Sequence, residues 1–463
     1  MATASGAGAR DAGRYARPQR CRPPLPWRAG HPRRAAHPCP RGQPLPPHRP
    51  RRGAGLGGHP PAHGPEPDPR PADSPPQGLL VAGRGCVGLL GAAHRALARP
   101  QLTHFSPNSY LCPPEERNNA MGAILIIYTG GTIGMKANPA TGALAPFNFE
   151  QILHEVPELH SFESRIDAVS LIPLVDSSDA TPEFWERLVV LIEANYADYD
   201  GFVILHGTDT MAYTASALSF MLPNVQKPVI LTGSQLPIGA LRTDGKENLL
   251  CALEIAEKRA EDGAPLIPEV AVFFDHSLTR GNRTTKFGAE RFDAFRSFNY
   301  PRLAEVGIHV RYNRKYIRER PAGPLTVDRA YSTRVSSLRL YPGIRHDMVE
   351  RVLTTPGLRG LVLETFGAGN APSAPWFLDL LRGAVDRGML LVNISQCPSD
   401  SISMTSYDVG LGLARLGVVS GRDMTFEAAL AKLMMALRRG DIEAAKAYFG
   451  RDIAGEMTLA IVE

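Results

Sequence analysis

Two glycine-rich turns in this sequence carry threonine hydroxyls directly after apolar, strand-like runs. Residues 128–134 read YTGGTIG and contain Thr132, and residues 206–210 read HGTDT and contain Thr208 followed by Asp209. In open α/β sheets, ligands bind at the carboxyl ends of the strands, where glycine lets the backbone come close and helix N-termini offer free N–H groups. Both turns are predicted to lie at that edge, where a threonine hydroxyl can act as a nucleophile or bind a ligand.

Two further polar segments are predicted to reach the same edge. Residues 176–179 (DSSD) follow the apolar run 169–175 and precede a helix, and residues 280–286 (RGNRTTK) follow another apolar run. An amide hydrolase that works without a metal needs an activated hydroxyl, a base, oxyanion donors and groups that hold its substrate. Thr132 or Thr208 can be the nucleophile, and Lys286 beside Asp209 can act as base through Thr208.

The remaining roles fall to the backbone and to the DSSD segment. The N–H groups of the two glycine-rich turns can receive the oxyanion, while Asp176 and Ser177 can hold the amino and carboxylate ends of an amino-acid substrate. Each feature also has a purely structural explanation. The Gly-Gly-Thr motif could simply form a turn, Thr208 could be a helix N-cap, and Asp209 could interact with the helix dipole. A phosphate-binding loop is disfavoured, because neither G-x-x-x-x-G-K-[ST] nor G-x-G-x-x-G occurs.

The elements that must position these residues form an alternating pattern. Continuous apolar runs at 123–128, 202–205, 228–231 and 270–274 are typical of buried parallel strands, and helices are predicted at about 181–196, 210–222 and 244–261. Thr181-Pro182 supplies an N-cap residue followed by proline at the first helical position. The pattern predicts a larger, N-terminal, doubly wound and mostly parallel α/β domain over residues 121–311.

A polar, proline-containing linker is predicted at 312–330, followed by a smaller C-terminal α/β domain at 331–463. In this second domain we expect strands at 335–340, 358–364 and 389–394, with helices at about 374–387 and 425–438.

Residues 1–120 differ from the rest in composition. They hold 17 Arg, no Lys, 6 acidic residues and 23 of the 41 prolines, whereas residues 121–463 hold 34 basic and 40 acidic side chains. Such a segment buries too little apolar surface to fold, so we expect a disordered extension and a folded part that begins at Met121. Because only the extension is basic, we expect no nucleic-acid partner. The run 79–97 is interrupted by Arg84 and Arg95, so no membrane span is expected.

Cysteine usage indicates the compartment. Within the predicted folded part only Cys251 and Cys397 occur, without C-x-x-C spacing, which favours a reducing, cytoplasmic location and argues against structural zinc. No cluster of metal ligands is evident, and the amide-hydrolase chemistry outlined above requires neither a metal nor another cofactor.

Six segments of the sequence resemble those of the bacterial-type L-asparaginases, and among these enzymes they resemble the cytoplasmic type I branch. They are YTGGTIGM at 128–135, DSSDATPEFW at 176–185, DGFVILHGTDTMAYTASALSFML at 200–222, TGSQLPIGALRTDG at 232–245, RGNRTTK at 280–286 and GAGNAP at 367–372. The resemblance runs in order from about residue 123 to the C-terminus. It implies hydrolysis of L-asparagine to L-aspartate and ammonia through a β-aspartyl acyl-enzyme, in a homodimer or homotetramer with active sites at subunit contacts.

The resemblance also assigns roles. Thr132 is the expected nucleophile, Thr208, Asp209 and Lys286 complete the catalytic set, and the substrate clamp is formed by Asp176, Ser177 and Ser178 together with Thr208 and Asp209. Which threonine forms the acyl-enzyme stays open.

One departure concerns the mobile lid. Many family members carry a tyrosine there, whereas residues 142–146 read GALAP. We therefore expect Tyr407, with Asn370, to reach the active site of the adjacent subunit, against the alternative that Tyr407 only packs in the interface.

Two other functions compete with this prediction. A tRNA-dependent amidotransferase subunit with this fold would carry a small β-rich N-terminal module, and residues 1–120 show no alternating strands. A catalytically inactive relative would be expected to lack part of the set Thr132, Thr208, Asp209 and Lys286, and all four are present.

Overall fold

The computed structural model describes residues 122–137, 144–146, 156–404 and 408–459. The predicted disordered extension at 1–120 lies outside the described residues. Within the described part of the chain, no helix has the length and apolar character needed to cross a membrane.

The N-terminal domain is built on an eight-stranded sheet of order β12-β11-β8-β7-β6-β5-β1-β4. The strands of this domain, in chain order, are β1 Ala123–Tyr128, β2 Met135–Ala137, β3 Leu144–Pro146, β4 Arg165–Ser170, β5 Gly201–Leu205, β6 Val229–Thr232, β7 Val270–Phe274, β8 Ser277–Arg280, β9 Thr285–Lys286, β10 Phe295–Arg296, β11 Ala304–Val306 and β12 Val310–Tyr312. Strands β4, β1, β5, β6 and β7 are parallel, and β8, β11 and β12 extend the sheet antiparallel at one edge. Two short pairs, β2–β3 and β9–β10, stand apart from it.

Helices cover both faces of this sheet, because its parallel strands are apolar on both sides. Its helices are α1 Pro182–Asn195, α2 Met211–Met221 and α3 Gly245–Glu257. Alternate strand residues such as Ile127 and Ile204 pack with α1 and α2, while Ile126 and Val203 pack with α3 on the opposite face. The predicted doubly wound architecture with a mostly parallel sheet is confirmed.

The C-terminal domain has a four-stranded, all-parallel sheet of order β13-β14-β15-β16. Its strands are β13 Val335–Arg339, β14 Gly360–Thr365, β15 Leu390–Ser395 and β16 Val419–Ser420. Its helices are α4 His346–Leu353, α5 Pro375–Asp386, α6 Asp408–Arg415, α7 Phe426–Ala436 and α8 Ile442–Gly450. Helix α7 joins the domains, since its buried side chains share one apolar cluster with strands of both sheets.

Two expected segments differ from the structure by more than two residues. The apolar run 169–175 before the DSSD segment is strand only as far as Ser170, where β4 ends, and Pro173 within the rest of the run has no N–H for strand pairing. The third predicted helix ends at Glu257, not near residue 261. Beyond it the chain turns back on itself, with the Leu266 N–H donating to the Lys258 carbonyl at 2.9 Å. Residues 313–334 contain neither strand nor helix.

Candidate active site

The Thr132 turn is held in direct contact with the Thr208 turn. Gly130 and Gly131 follow β1 with φ of 119° and 86°, a backbone that favours glycine. A Cβ added to Gly131 would lie 2.5 Å from the backbone nitrogen of Gly207, so only glycine permits this approach. Thr132 follows, half-buried, as the first residue of a short 3-10 helix, Thr132–Gly134. The two threonines are therefore presented by adjacent turns of neighbouring strands.

The Thr208 hydroxyl is bound to the predicted base. The Lys286 Nζ donates to Thr208 Oγ1 at 2.8 Å and to Asp209 Oδ1 at 2.7 Å. Thr208 is buried, Lys286 keeps 17% of its side-chain surface exposed and Asp209 keeps 64%. Three of the four predicted catalytic residues thus form one connected group, in which the Lys286 amine can exchange a proton with the threonine oxygen.

Gln235 also contacts the Thr208 hydroxyl. Its Nε2 donates to the carbonyls of Ala289 and Arg291, at 2.9 Å each, so its Oε1 faces Thr208 Oγ1 at 3.4 Å. Gln235 lies in the TGSQLP segment. The sequence alone gives it no role, because the carbonyls that orient its amide lie more than 50 positions away in the chain.

The DSSD segment packs beneath the Thr208 turn. Ser177 is buried, and a Cβ on Gly207 would lie 2.5 Å from Ser177 Oγ. The Thr210 hydroxyl donates to the Ser177 carbonyl at 2.6 Å. Asp176 and Ser178 remain exposed, and Ser178 donates to Asp176 Oδ1 from its hydroxyl at 2.5 Å and from its N–H at 2.9 Å. These hydrogen bonds lower the pKa of Asp176, so its carboxylate is held in the charged form that suits an ammonium group.

Several backbone N–H groups in the two glycine-rich turns have no acceptor within the described part of the chain. These are the N–H groups of Gly130, Gly131, Thr132, Gly207, Thr208 and Asp209. Groups of this kind at the ends of parallel strands can bind anionic oxygen atoms.

The segment that carries Lys286 is anchored to the C-terminal strap, which we define as residues 451–458. The Arg283 guanidinium, 1% exposed, donates to the Gly455 carbonyl at 2.7 Å and pairs with Asp423 at 2.8 Å. Arg283 also donates to Thr458 Oγ1 at 3.3 Å. Lys286 is thus positioned by residues more than 130 positions further along the chain, which no local pattern in the sequence reveals.

The two residues predicted to act across a subunit contact belong to the C-terminal part of the chain. Asn370 lies in a turn after β14, closed by paired backbone hydrogen bonds with Phe366 of 2.8 and 2.9 Å, and its side chain makes no hydrogen bond within the described residues. Tyr407 lies outside the described residues, as do residues 142 and 143 of the predicted lid.

Two family models match the folded part of this chain. Residues 123–318 match the family described as "Asparaginase, N-terminal", and residues 334–449 match "Glutaminase/Asparaginase C-terminal domain". L-asparaginase 1 of Escherichia coli (strain K12) is 45% identical over 338 residues, which cover 73% of this chain and 98% of that protein.

The chain belongs to the asparaginase family.

Two further relatives are a solved structure and a longer protein with a different name. A crystal structure of L-asparaginase I from Vibrio cholerae aligns with a TM-score of 0.67 and 44% identity, covering 73% of this chain and 99% of that one. The 60 kDa lysophospholipase of Mus musculus is 44% identical over 360 residues, and the alignment covers only 62% of that longer protein. The family resemblance predicted from the sequence is confirmed.

Proposed function

We propose that this protein hydrolyses the side-chain amide of L-asparagine, releasing L-aspartate and ammonia. The observation that carries the proposal is the contact of Lys286 with both Thr208 and Asp209, beside a turn that presents Thr132. Full-length similarity to L-asparaginase 1 of E. coli supports the choice of substrate. The hydroxyls and the amine supply the proton transfers that the reaction requires, and the backbone N–H groups supply hydrogen bonds to the oxyanion.

The proposed reaction proceeds in two halves. The Thr132 oxygen attacks the side-chain amide carbon of asparagine, and its proton passes through the Thr208 hydroxyl to the Lys286 amine, while the resulting oxyanion accepts hydrogen bonds from backbone N–H groups. Collapse of this intermediate breaks the C–N bond, and the departing nitrogen takes up that proton and leaves as ammonia. Water then attacks the β-aspartyl ester, which releases aspartate and restores the threonine hydroxyl.

Thr208 and Lys286 have a supporting role in this scheme, since Lys286 exchanges protons through Thr208. The same chemistry with Thr208 as the attacking oxygen is the alternative, because its hydroxyl also lies within reach of the amine.

The DSSD segment, in which Asp176 and Ser178 are exposed and Ser177 is buried, fits the charged end of the substrate. Asp176 offers a carboxylate to the α-ammonium group, and Ser177 and Ser178 lie beside it to hold the α-carboxylate. Asp209, which keeps most of its side chain exposed beside Lys286, gives a second acceptor for the ammonium. A zwitterionic amino acid therefore finds carboxylates for its ammonium group and serine hydroxyls for its carboxylate near the two threonines.

We further propose that the active protein is a homodimer or homotetramer in the cytoplasm. Asn370 and Tyr407 would then contribute to the active site of the neighbouring subunit. The cytoplasmic location is supported by Cys251 and Cys397, which are both free thiols.

The test is an ammonia-release assay on the purified full-length chain. L-Asparagine, L-glutamine and a lysophospholipid are supplied side by side, and ammonia, aspartate and free fatty acid are measured. We expect ammonia and aspartate in equal amounts from L-asparagine, with less ammonia from L-glutamine. Fatty-acid release without ammonia would assign this chain the activity named for its longer mouse relative, and absence of all products would refute the proposal.

A further inference from the structure

His206 is a buried histidine directly next to the catalytic turn, and the reaction proposed above does not use it. Its side chain lies at the end of β5, is 1% exposed and packs edge-on against Phe184, with ring centroids 5.4 Å apart. Both ring nitrogens are hydrogen-bonded. Nδ1 lies 2.7 Å from the Gly207 carbonyl oxygen and Nε2 lies 2.9 Å from the Thr214 hydroxyl.

These partners determine which nitrogen carries the proton. A carbonyl oxygen only accepts, so Nδ1 must donate to Gly207. Thr214 Oγ1 in turn receives a hydrogen bond from Trp185 Nε1 at 3.1 Å, which leaves its own proton free to donate to Nε2. The chain of bonds therefore runs from Trp185 through Thr214 and His206 to the Gly207 carbonyl. Burial lowers the pKa of His206 to about 4, so the ring is neutral at physiological pH.

The orientation of the Gly207 carbonyl fixes the orientation of the Thr208 N–H. The two belong to one planar trans peptide, in which the C=O and N–H bonds point in opposite directions. Because the carbonyl is bound to the buried ring, the Thr208 N–H is directed away from the ring. That N–H has no acceptor within the described residues. It is therefore available to substrate, on a turn whose other neighbours are Gly131 and Ser177.

We propose that His206 is a positioning residue that locks the Gly207–Thr208 peptide, so that the Thr208 N–H stays aimed at the oxyanion formed from the substrate amide. The inference rests on the proposed function. It assigns no proton transfer to His206, since both ring nitrogens are engaged and the ring does not reach the solvent. The histidine acts through one backbone carbonyl, and the residues of α1 and α2 that hold the ring act through the histidine.

Glycine at 207 makes such a lock necessary. A peptide between glycine and threonine can rotate into several backbone conformations in a turn, and each rotation would turn the N–H away from the substrate. When the N–H is already fixed in the right direction, the peptide need not rotate during the reaction. The loss of one oxyanion donor typically lowers kcat by about 100- to 1,000-fold.

The test compares two amide replacements in the full-length protein. His206→Asn places an N–H donor near the position of Nδ1 and can still bind the Gly207 carbonyl, whereas His206→Gln carries its amide further out, near Nε2, and cannot. We expect His206→Gln to lower kcat for L-asparagine by about 100-fold with less than about a threefold change in KM, and His206→Asn to lose less than about tenfold. Phe377→Leu, in the core of the C-terminal domain, is the control for lowered stability alone and should keep its kcat.

A second measurement needs no substrate. Nitrogen-15 NMR of the histidine rings, with the His206 signal assigned by its loss in His206→Asn, should show a neutral ring protonated at Nδ1. A ring protonated at Nε2 would overturn the inference, as would equal kcat losses in both folded variants or an unchanged kcat in His206→Gln. If the wild-type protein released no ammonia from L-asparagine, the proposed function would fail while the NMR result would still report on the lock.

Discussion

The side-chain nitrogen of Lys286 lies 2.8 Å from the hydroxyl oxygen of Thr208, although 78 positions separate the two residues in the chain. Thr208 follows a parallel strand in the middle of the sheet, and Lys286 follows the antiparallel strand β8 nearer its edge. Each residue is thus held by its own element, and Asp209 fixes the amine from the other side at 2.7 Å. This contact is the basis of the proposed catalytic set.

The first prediction concerns this pair. Thr208→Ala and Lys286→Met should each lower kcat for L-asparagine by several orders of magnitude while the melting temperature changes little. Because the two groups act as one unit, the double variant should lose no more than about tenfold beyond the worse single variant. Steady-state kinetics of all four proteins form the double-mutant cycle. Losses that multiply would mean that the two side chains act independently.

The second prediction concerns the anchor of the Lys286 segment. Arg283→Lys removes the planar fork that binds Gly455, Asp423 and Thr458, and it leaves buried polar groups without partners. The free energy of unfolding should fall by about 2–4 kcal/mol in urea denaturation, with a loss of kcat as Lys286 shifts. Arg302→Lys, in the exposed pair with Glu305, is the control and should change stability by less than about 0.5 kcal/mol. Equal effects of the two substitutions would refute the anchoring role.

The third prediction follows from the lowered pKa of His206. The unfolded chain binds a proton at this side chain below about pH 6.5, whereas the folded protein binds one only near its pKa of about 4. The contribution of the neutral ring to the free energy of unfolding is therefore fully present above pH 6.5, and it is lost as the pH falls toward 4. Between about pH 7 and pH 5, wild-type stability should fall by about 2 kcal/mol more than that of His206→Asn. Parallel pH dependences of the two proteins in urea denaturation would show that His206 titrates normally.

The fourth prediction tests the cross-subunit role proposed for Tyr407. Tyr407→Phe keeps the ring and removes only the hydroxyl, so it should lower kcat by at least about tenfold if that hydroxyl activates the nucleophile. Size-exclusion chromatography should show an unchanged oligomer. Tyr341→Phe, at an exposed position of the C-terminal domain, is the matched control. Unaltered kinetics in Tyr407→Phe would reduce Tyr407 to interface packing.

Local sequence patterns were sufficient where one element decides the outcome. The apolar runs predict strands β1 and β7 with both ends correct, and Thr181-Pro182 predicts the start of α1. Strands β8, β11 and β12 were not predicted, because runs of three or four residues show no period, and α4, α6 and α8 were missed as well.

Contacts between distant elements lay beyond such patterns. The bonds of His206 depend on Trp185 and Thr214 from two different helices, and a sequence alone does not place them together. Lys432 is a further example, since a lysine in a helix usually predicts a solvated face. Here Lys432 and Glu456 are both completely buried and paired with each other, and the pair holds the C-terminal strap against α7.

The most direct test of the account is ammonia release from L-asparagine by wild-type protein, Thr132→Ser and Thr132→Ala, measured under identical conditions. The serine variant keeps a nucleophilic oxygen and the alanine variant does not, while both leave the Lys286–Thr208 contact in place. The account predicts release by the wild type, reduced but measurable release by Thr132→Ser, and a loss of at least about 1,000-fold in Thr132→Ala. Wild-type protein that releases no ammonia, or a Thr132→Ala variant that releases it at the wild-type rate, would contradict it.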